Sequence, residues 1–598
     1  MNMSTNHSSG MAHPDNPAKQ KEHMAALDLV KHSDATHVAV KSGNWSDAST
    51  WKGGKVPGNG AKILIGDGLD VTYNVESDAR LKTIRVDGQL DFATKQDTKM
   101  VIDTFVVAPS GTLTIGTKNN PVAGNVNTEI WIADNGKIDR SWDPTQVSRG
   151  LVSHGEVEIY GQEKTSHIKL SKDAMAGDQE LVLSGAPNNW KVGDSLVLTG
   201  TEHVKDKWNP QKREMEWQGT QDEELKIKAI NGNRVTLDRS LQFDHNTPRG
   251  DLKAYVTNFS RNVTVASENA DKLPANQRGH VMFMHSDAVD VRYAEFHELG
   301  RSDKSKMFDD RGGSNNNVRG RYSVHFHRSG VDNIDGQPAR AVGNSVWGSP
   351  GWGFVNHDSH VVMENNATYD VFGSAFVTET GNEIGAMRNN IAIKSEGAIS
   401  ISKNLTRVKN HDIGHNGVGF WFQGRLVANE GNIAAGQRHA GTVYLLRGAD
   451  QIDVLSKNLD FPETSRYSST LLTGRPHIES LKNHEVFATD KGIEVIKANP
   501  NQGHDVRSVI DGLKAWEVRT GTHLEYTSKY TLKNLDLIGA ASGNNTAISF
   551  GNNAEDMVVN GAKAKGFGLG IKTTKKHTFA NIDDWGYVFI DTDVDGKK

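Results

Sequence analysis

The chain has 598 residues, is 36% hydrophobic and 7% aromatic, holds 60 glycines and no cysteine, and carries a formal net charge of −5 at pH 7. The missing cysteine excludes disulfides, thiolate metal sites and cysteine nucleophiles. The missing basic excess argues against a nucleic-acid partner, and no run of 18 apolar residues is present to span a membrane. Sparse aromatics with abundant Gly, Asn, Asp, Thr and Val describe an all-β chain rich in turns.

Residues 1–36 read as an N-terminal arm. One short helix is expected around Lys19–Val30, ended by His32-Ser33-Asp34. The arm has no apolar h-region, so no signal peptide is read in it. Its histidines (His7, His13, His23, His32) fit no metal spacing, which favours a packed or disordered arm. Residues 37–174 alternate short strands with glycine turns, as in Ala61-Lys62-Ile63-Leu64-Ile65-Gly66 and Lys82-Thr83-Ile84-Arg85-Val86-Asp87-Gly88. Residues 175–258 depart from that rhythm and predict a small inserted β-barrel, with the charged stretch Lys205 to Glu224 as a loop within it. Residues 259–598 return to coils, with a C-terminal cap expected after Phe579 to cover the open strand edges.

Three later segments repeat one pattern: Gly351-Trp352-Gly353-Phe354-Val355-Asn356-His357, Gly373-Ser374-Ala375-Phe376-Val377-Thr378-Glu379 and Gly417-Val418-Gly419-Phe420-Trp421-Phe422-Gln423. Asn365-Asn366 and Asn389-Asn390 follow the first two. Arg321-Tyr322-Ser323-Val324-His325-Phe326-His327 ends on the same column. A period near 22 predicts a right-handed parallel β-helix, in which equivalent residues stack about 4.8 Å apart. Further along, Leu524-Glu525-Tyr526 and Ile548-Ser549-Phe550 suggest a 24-residue spacing that aligns Tyr526 with Phe550.

Trp45-Ser46-Asp47-Ala48-Ser49-Thr50-Trp51, followed by Gly53, Gly54, Pro57-Gly58, Gly66, Gly68, Gly88, Gly111 and Gly116, resembles the eight-glycine domain. Gly279-His280-Val281-Met282-Phe283-Met284-His285, Val291-Arg292-Tyr293-Ala294-Glu295-Phe296-His297 and the His-Phe-His block are similar to the β-helix core of the same family. That family includes the cell-migration-inducing hyaluronidase, its transmembrane relative, fibrocystin-type proteins and many bacterial proteins. Ser323 stands where the animal members have Pro. The resemblance covers about residues 40–450 and implies a glycosaminoglycan-like substrate, while the absence of cysteine suits a bacterial secreted or cell-surface protein.

On a strand, alternate residues share a face, so His325 and His327 point together. The register adds His357, Glu379 and Gln423 below them. Two histidines and a carboxylate in one column suit a divalent metal (Zn, Mn or Ca), or acid–base chemistry without one. An inert polar ladder is the structural alternative. The stretch Gly300 to Gly320 is expected to overhang the column as a groove wall. Its Lys304, Lys306, Arg311 and Arg319, with Arg321 and Arg328, are candidate contacts to an acidic sugar chain. Asp309-Asp310 is a weak calcium signal. His415 is a further candidate below the ladder, and Trp352 and Trp421 are candidates for stacking on sugars.

The expected function is depolymerisation of an acidic, uronic-acid-containing polysaccharide by a monomeric protein. Elimination would use His327 or Tyr322 as base and Arg321 or a cation as neutraliser. Hydrolysis would instead pair Glu379 with Glu295, Glu298 or Asp358. A non-catalytic carbohydrate-binding or adhesion protein is the other class of reading.

Overall fold

The computed structural model describes residues 17–310, 313–330, 336–398, 412–446, 451–453, 470–472, 477–497, 505–541, 544–574 and 586–596. Short strands broken by Gly, Asn and Asp turns wind into successive coils, and each strand pairs in parallel with its equivalent on the next coil. Three parallel sheets result. The first runs from His37–Val38 through Lys62–Ile65, Glu76–Val86, Thr98–Val107, Gly150–Ser153, His280–Met284, Val324–His327, Phe354–His357, Ser374–Thr378 and Val418–Phe422 to Ala440–Leu446 and beyond. The second includes Thr128–Ile132, Val263–Ser267, Ala294–His297, Ser345–Ser349, Ala367–Val371, Ile391–Ser395 and Ile433–Gln437. The third, among the described residues, has 15 strands, starting at Gly43–Asn44. Long strands such as Thr98–Val107 and Glu485–Lys497 turn a corner and join the first two sheets. The fold is a parallel β-helix.

The coils begin at His37, so the chain from His37 to Tyr160 forms the first turns of the same solenoid. Inward columns fill its interior. Phe354, Phe376 and Phe420 stack with ring centroids 5.3 and 5.0 Å apart, matching the repeat seen in sequence. The spacing expected farther along differs: Leu524, not Tyr526, faces Phe550. Tyr526 takes φ +50° at the end of a long corner-turning strand, which moves the register by two residues.

One corner is pinned by an asparagine ladder. Gly343, Asn365, Asn389 and Gly431 each take positive φ, near +51° to +65°, and the next residue is Asn344, Asn366, Asn390 or Asn432. The backbone N–H of each of the first three donates to the side-chain oxygen of the next at 3.0 Å. Each side-chain amide also donates to a main-chain carbonyl on the preceding coil, such as Asn366 Nδ2 to Ala341 O at 2.8 Å. All four are fully buried or nearly so.

An antiparallel six-stranded barrel interrupts the coils. Its strands lie between His167 and Asn258, starting ahead of the expected residue 175, and a bridge between Leu170 and Leu183 closes it. The charged Lys205 to Glu224 stretch contains a hairpin, Lys207–Asn209 with Glu214–Glu216. The hairpin's base reaches the coils through Asp206 and Arg438, 2.9 Å apart. At the far end, part of the expected cap lies outside the described residues. Tyr587–Ile590 and Asp593–Gly596 add further parallel strands.

Asn366→Ala removes two acceptor contacts and two donor contacts from a dry corner, leaving the Asn344 N–H unpaired. An unmet buried polar group costs about 1–3 kcal/mol, so a total of about 2–4 kcal/mol and a clear drop in Tm are expected by differential scanning fluorimetry. An unchanged Tm would mean the ladder contributes nothing.

Candidate functional site

Parallel register sets the site. His327 pairs directly with His357, and Thr378 with Asn356, which carries the column on to Glu379. His325 lies two residues before His327 on the same strand face. The His325 ring is 5.0 Å from His327 and 5.6 Å from His357, and the His327 and His357 rings are 4.5 Å apart. Glu379 Oε2 sits 3.1 Å from His357 Nδ1 and 4.0 Å from His325 Nε2. The expected cluster of His325, His327, His357 and Glu379 is therefore present as one spatial group.

Burial and neighbours give the members different charges. His325 is fully buried and His327 is 4% exposed; desolvation, aided by adjacent imidazoles, lowers both pKa values and favours the neutral rings. For His357, burial pulls the same way, but Glu379 outweighs it and raises the value. Burial works to raise Glu379, yet His357, His325 and Lys304 bring it down to about 2. The site thus pairs an ionised carboxylate with one imidazole held toward its charged form and two held neutral.

The array extends beyond these four residues. The N-terminal helix, Pro17–Asp28, lies across the column, and its last residues Ala26 and Leu27, with Leu29 and Val30 just after it, pack with Val106, Val152, Met282 and Met284. Glu22 Oε1 is 3.0 Å from His327 Nε2, and Glu22 Oε2 is 3.0 Å from Arg328 Nε. His23 packs edge-on against His154 and His285, with centroids 4.4 and 5.1 Å away, and His285 stands 6.0 Å from His327. Six imidazoles therefore adjoin one another from His154 to His357. Sequence reading missed Glu22, His154 and His285; only His285, in the quoted Met284-His285 pair, carried a signal.

The segment Gly300 to Gly320 walls the other side, but many of its cations face inward. Lys304 is fully buried, 3.2 Å from Asp412 Oδ1 and donating to Ile413 O at 2.6 Å, with its ammonium over the Phe308 and Trp352 rings. Burial lowers Lys304 to about 8 against the opposing pull of Asp412. His415 holds the same carboxylate at 2.7 Å and also contacts Lys304 O. Arg321 does not join the cluster: its guanidinium donates to the carbonyls of Gln146, Arg319 and Thr145. Arg319 pairs with Asp310 at 3.0 Å, and Asp309 accepts from Asn317 N and Ser314, so both carboxylates already have protein partners. Lys306 is exposed and faces Asp303. Arg328 bridges Glu22 and Asp358. Arg311 lies outside the described residues.

Tyr322 is fully buried, stacked 4.6 Å from Trp352 and edge-on to His325 at 5.3 Å, and its hydroxyl has no hydrogen-bond partner among the described residues. Burial pushes the phenol well above its usual value. Trp352 and Trp421 are buried at 1% and 4% exposure and offer no face for stacking. Gln423 follows in register below Glu379, its backbone N–H donating to Thr378 O. Glu295 and Glu298 lie on or beside a strand of the second sheet, where they meet His297 and Arg278, and so are not partners for Glu379. An open groove of about 1150 Å³ lies elsewhere, between the barrel hairpin and the coils, lined by Trp208, Trp217, Arg438 and Lys491.

Models of known families match two parts of the chain: a G8 domain over residues 50–171 and a CEMIP beta-helix over residues 276–463. Fibrocystin-L of Homo sapiens is 24% identical over 454 residues, 67% of this chain and 10% of that protein. Communication mutant protein F of Dictyostelium discoideum is 23% identical over 352 residues, 57% of this chain and 28% of that protein. The chain thus spans a tenth to under a third of these relatives. Among solved structures, a glycoside hydrolase aligns at TM-score 0.24 and 8% identity, over 86% of this chain and 90% of that one. The Pseudomonas phage phi297 tailspike gp61 aligns at 0.19 and 11%, over 81% and 66%. No helix among the described residues is long and apolar enough to cross a membrane.

Asp412→Asn leaves the Lys304 ammonium buried without its carboxylate. Breaking a buried ion pair from one side costs about 3–5 kcal/mol, so a markedly lower Tm is expected at neutral pH. Lys304 and His415 hold Asp412 below the usual carboxylate range. Its contribution is therefore present above the unfolded-state value and lost as pH falls through the folded one, and the gap to the variant narrows in strong acid. A constant gap from neutral to strongly acid pH would contradict this account.

Proposed function

We propose that this chain, a G8-domain protein with a CEMIP-type β-helix, cleaves an acidic, uronic-acid-containing polysaccharide at the His325, His327, His357 and Glu379 cluster. The observation that carries the reading is the cluster itself. A solenoid column that is only scaffold is filled by apolar or asparagine ladders, as at Asn344–Asn432. Here four ionisable side chains share one face, differ in charge state, and leave buried ring nitrogens unpaired. The resemblance to hyaluronidase-type relatives supports a glycosaminoglycan-like substrate, such as hyaluronan or chondroitin, met outside the cell.

The site suits elimination better than hydrolysis. Elimination removes the proton beside the uronate carboxylate; the electron pair forms the C4–C5 double bond, and the C4–O bond breaks as its oxygen takes a proton. The base is the neutral His327 imidazole, and the proton for the leaving oxygen comes from the Tyr322 phenol, which burial keeps protonated, while His357, held toward its charged form by Glu379, faces the developing negative charge. Hydrolysis requires two facing carboxylates, whereas the carboxylates near Glu379 are already engaged: Glu22 and Asp358 with Arg328, and Glu383 with the backbone N–H groups of Glu379, Thr380 and Gly381. A polymer reaching the column takes the place of Glu22 at His327 and Arg328.

The test follows ultraviolet absorbance and reducing ends together on a panel of polyuronides and glycosaminoglycans. Elimination yields both signals; reducing ends without absorbance would move the reading to hydrolysis, and neither signal would favour an adhesion protein. His327→Ala is expected to lower cleavage on the order of 10²–10⁴-fold. Tyr322→Phe removes an unpaired hydroxyl, so it leaves Tm unchanged or higher while lowering cleavage. Variants that melt early yet cleave normally would make the column scaffold.

A further inference from the structure

One ring nitrogen from each of His325, His327 and His357 lies within 4.8 Å of the other two. We propose that these three nitrogens bind a divalent transition-metal ion of the zinc class, with Glu379 as the adjoining carboxylate. Zinc holds imidazole nitrogen at about 2.0–2.1 Å, which in a tetrahedral site sets the nitrogens about 3.4 Å apart. Ring rotations of about an ångström close the triangle.

Three observations carry the inference. His325 Nδ1 lies 2.9 Å from Gly320 O, a bond it makes as the protonated nitrogen, so the lone pair stays on Nε2. That Nε2 is buried and has no hydrogen-bond partner among the described residues, an orphaned donor atom that a metal would engage and a solvated ladder would not leave. A backbone carbonyl behind one ligand and a carboxylate behind another, Glu379 Oε2 at 3.1 Å from His357 Nδ1, are the outer contacts that orient imidazoles on metals. The donors also stand on rigid elements, two on one strand and one on its paired neighbour, so their convergence is built by register.

Nitrogen donors select the ion. Calcium takes six to eight oxygens, whereas three imidazoles with an open position suit zinc, or cobalt, manganese and iron in its place. Glu22, facing His327 Nε2, shifts or joins when the ion enters. The inference rests on the depolymerase reading, keeps its location and sharpens its chemistry: the ion supplies the positive charge opposite the uronate, and His327 acts as a ligand instead of as the base.

The experiment needs no substrate, so its failure and that of the cleavage assay are separable. Full-length protein is stripped with a chelator and titrated with Zn²⁺, Co²⁺ and Ca²⁺ by calorimetry, with Co²⁺ also followed by its visible spectrum and by X-ray absorption. One equivalent of Zn²⁺ or Co²⁺ is expected, with the strong visible bands of a four- or five-coordinate nitrogen-rich site and little response to Ca²⁺. His325→Gln and His357→Gln should each weaken Zn²⁺ binding by at least about 100-fold, while His439→Gln, paired with Glu494 in the distant groove, changes nothing. The wild-type titration and absorption spectrum stand even if a variant fails to fold. Less than about a tenth of an equivalent bound, an oxygen-only shell, a preference for Ca²⁺, or loss of binding in His285→Gln but not in His357→Gln would each overturn the assignment.

Discussion

Backbone hydrogen bonding between successive coils is the constraint on which everything else here depends. Once Phe354 faces Phe376 and Phe376 faces Phe420, every other column on that face is fixed, because strand side chains alternate with period two. The same registration that stacks phenylalanines inside stacks His327 over His357 outside and brings Glu379 next. A one-residue slip would turn the imidazoles into the apolar interior. The cluster's geometry is therefore held by the whole sheet rather than by contacts among its own members, which explains how four ionisable groups stay together although several have poor partners.

This coupling also explains what could be read from sequence. The His327–His357–Glu379 column was legible because Phe354 and Phe376 mark the interior, and counting from them assigns the outer face. Counting failed at Tyr526 because a long strand turning a corner breaks the link between spacing and pairing. Arg321 and Lys304 show a second limit. Sequence places a cation near the site but does not say whether its donors meet carbonyls or a buried carboxylate. Glu22 shows a third: it reaches His327 across about 300 positions, and no local pattern reports such a contact.

Burial shapes the chemistry as much as composition does. Six adjoining imidazoles in water would titrate together near their ordinary value and repel one another. Under the N-terminal helix, desolvation holds His154, His285, His325 and His327 toward their neutral forms, whereas His357, beside Glu379, moves the other way. The apolar contacts of Ala26, Leu29 and Val30 with Val152, Met282 and Met284 thus bear on the protonation states next to them.

The inserted barrel changes how the solenoid behaves as an object. A stack of coils joined only to neighbours is elastic, and its ends fray independently. Here Tyr255 of the barrel reaches Glu485 at 2.9 Å, Lys169 reaches the same carboxylate at 2.8 Å, Arg249 pairs with Asp536, and Tyr369 holds Glu224 at 3.0 Å. These ties span 145 to 316 positions in the chain, and they join an early insertion to middle and late coils. The barrel acts as a strut bolted along the side of a spring, so bending or unwinding the middle coils requires tearing the strut away. Loss of structure in that region is expected to be concerted, and the chain can lock into its final stiffness only after the coils carrying Glu485 and Asp536 have been made.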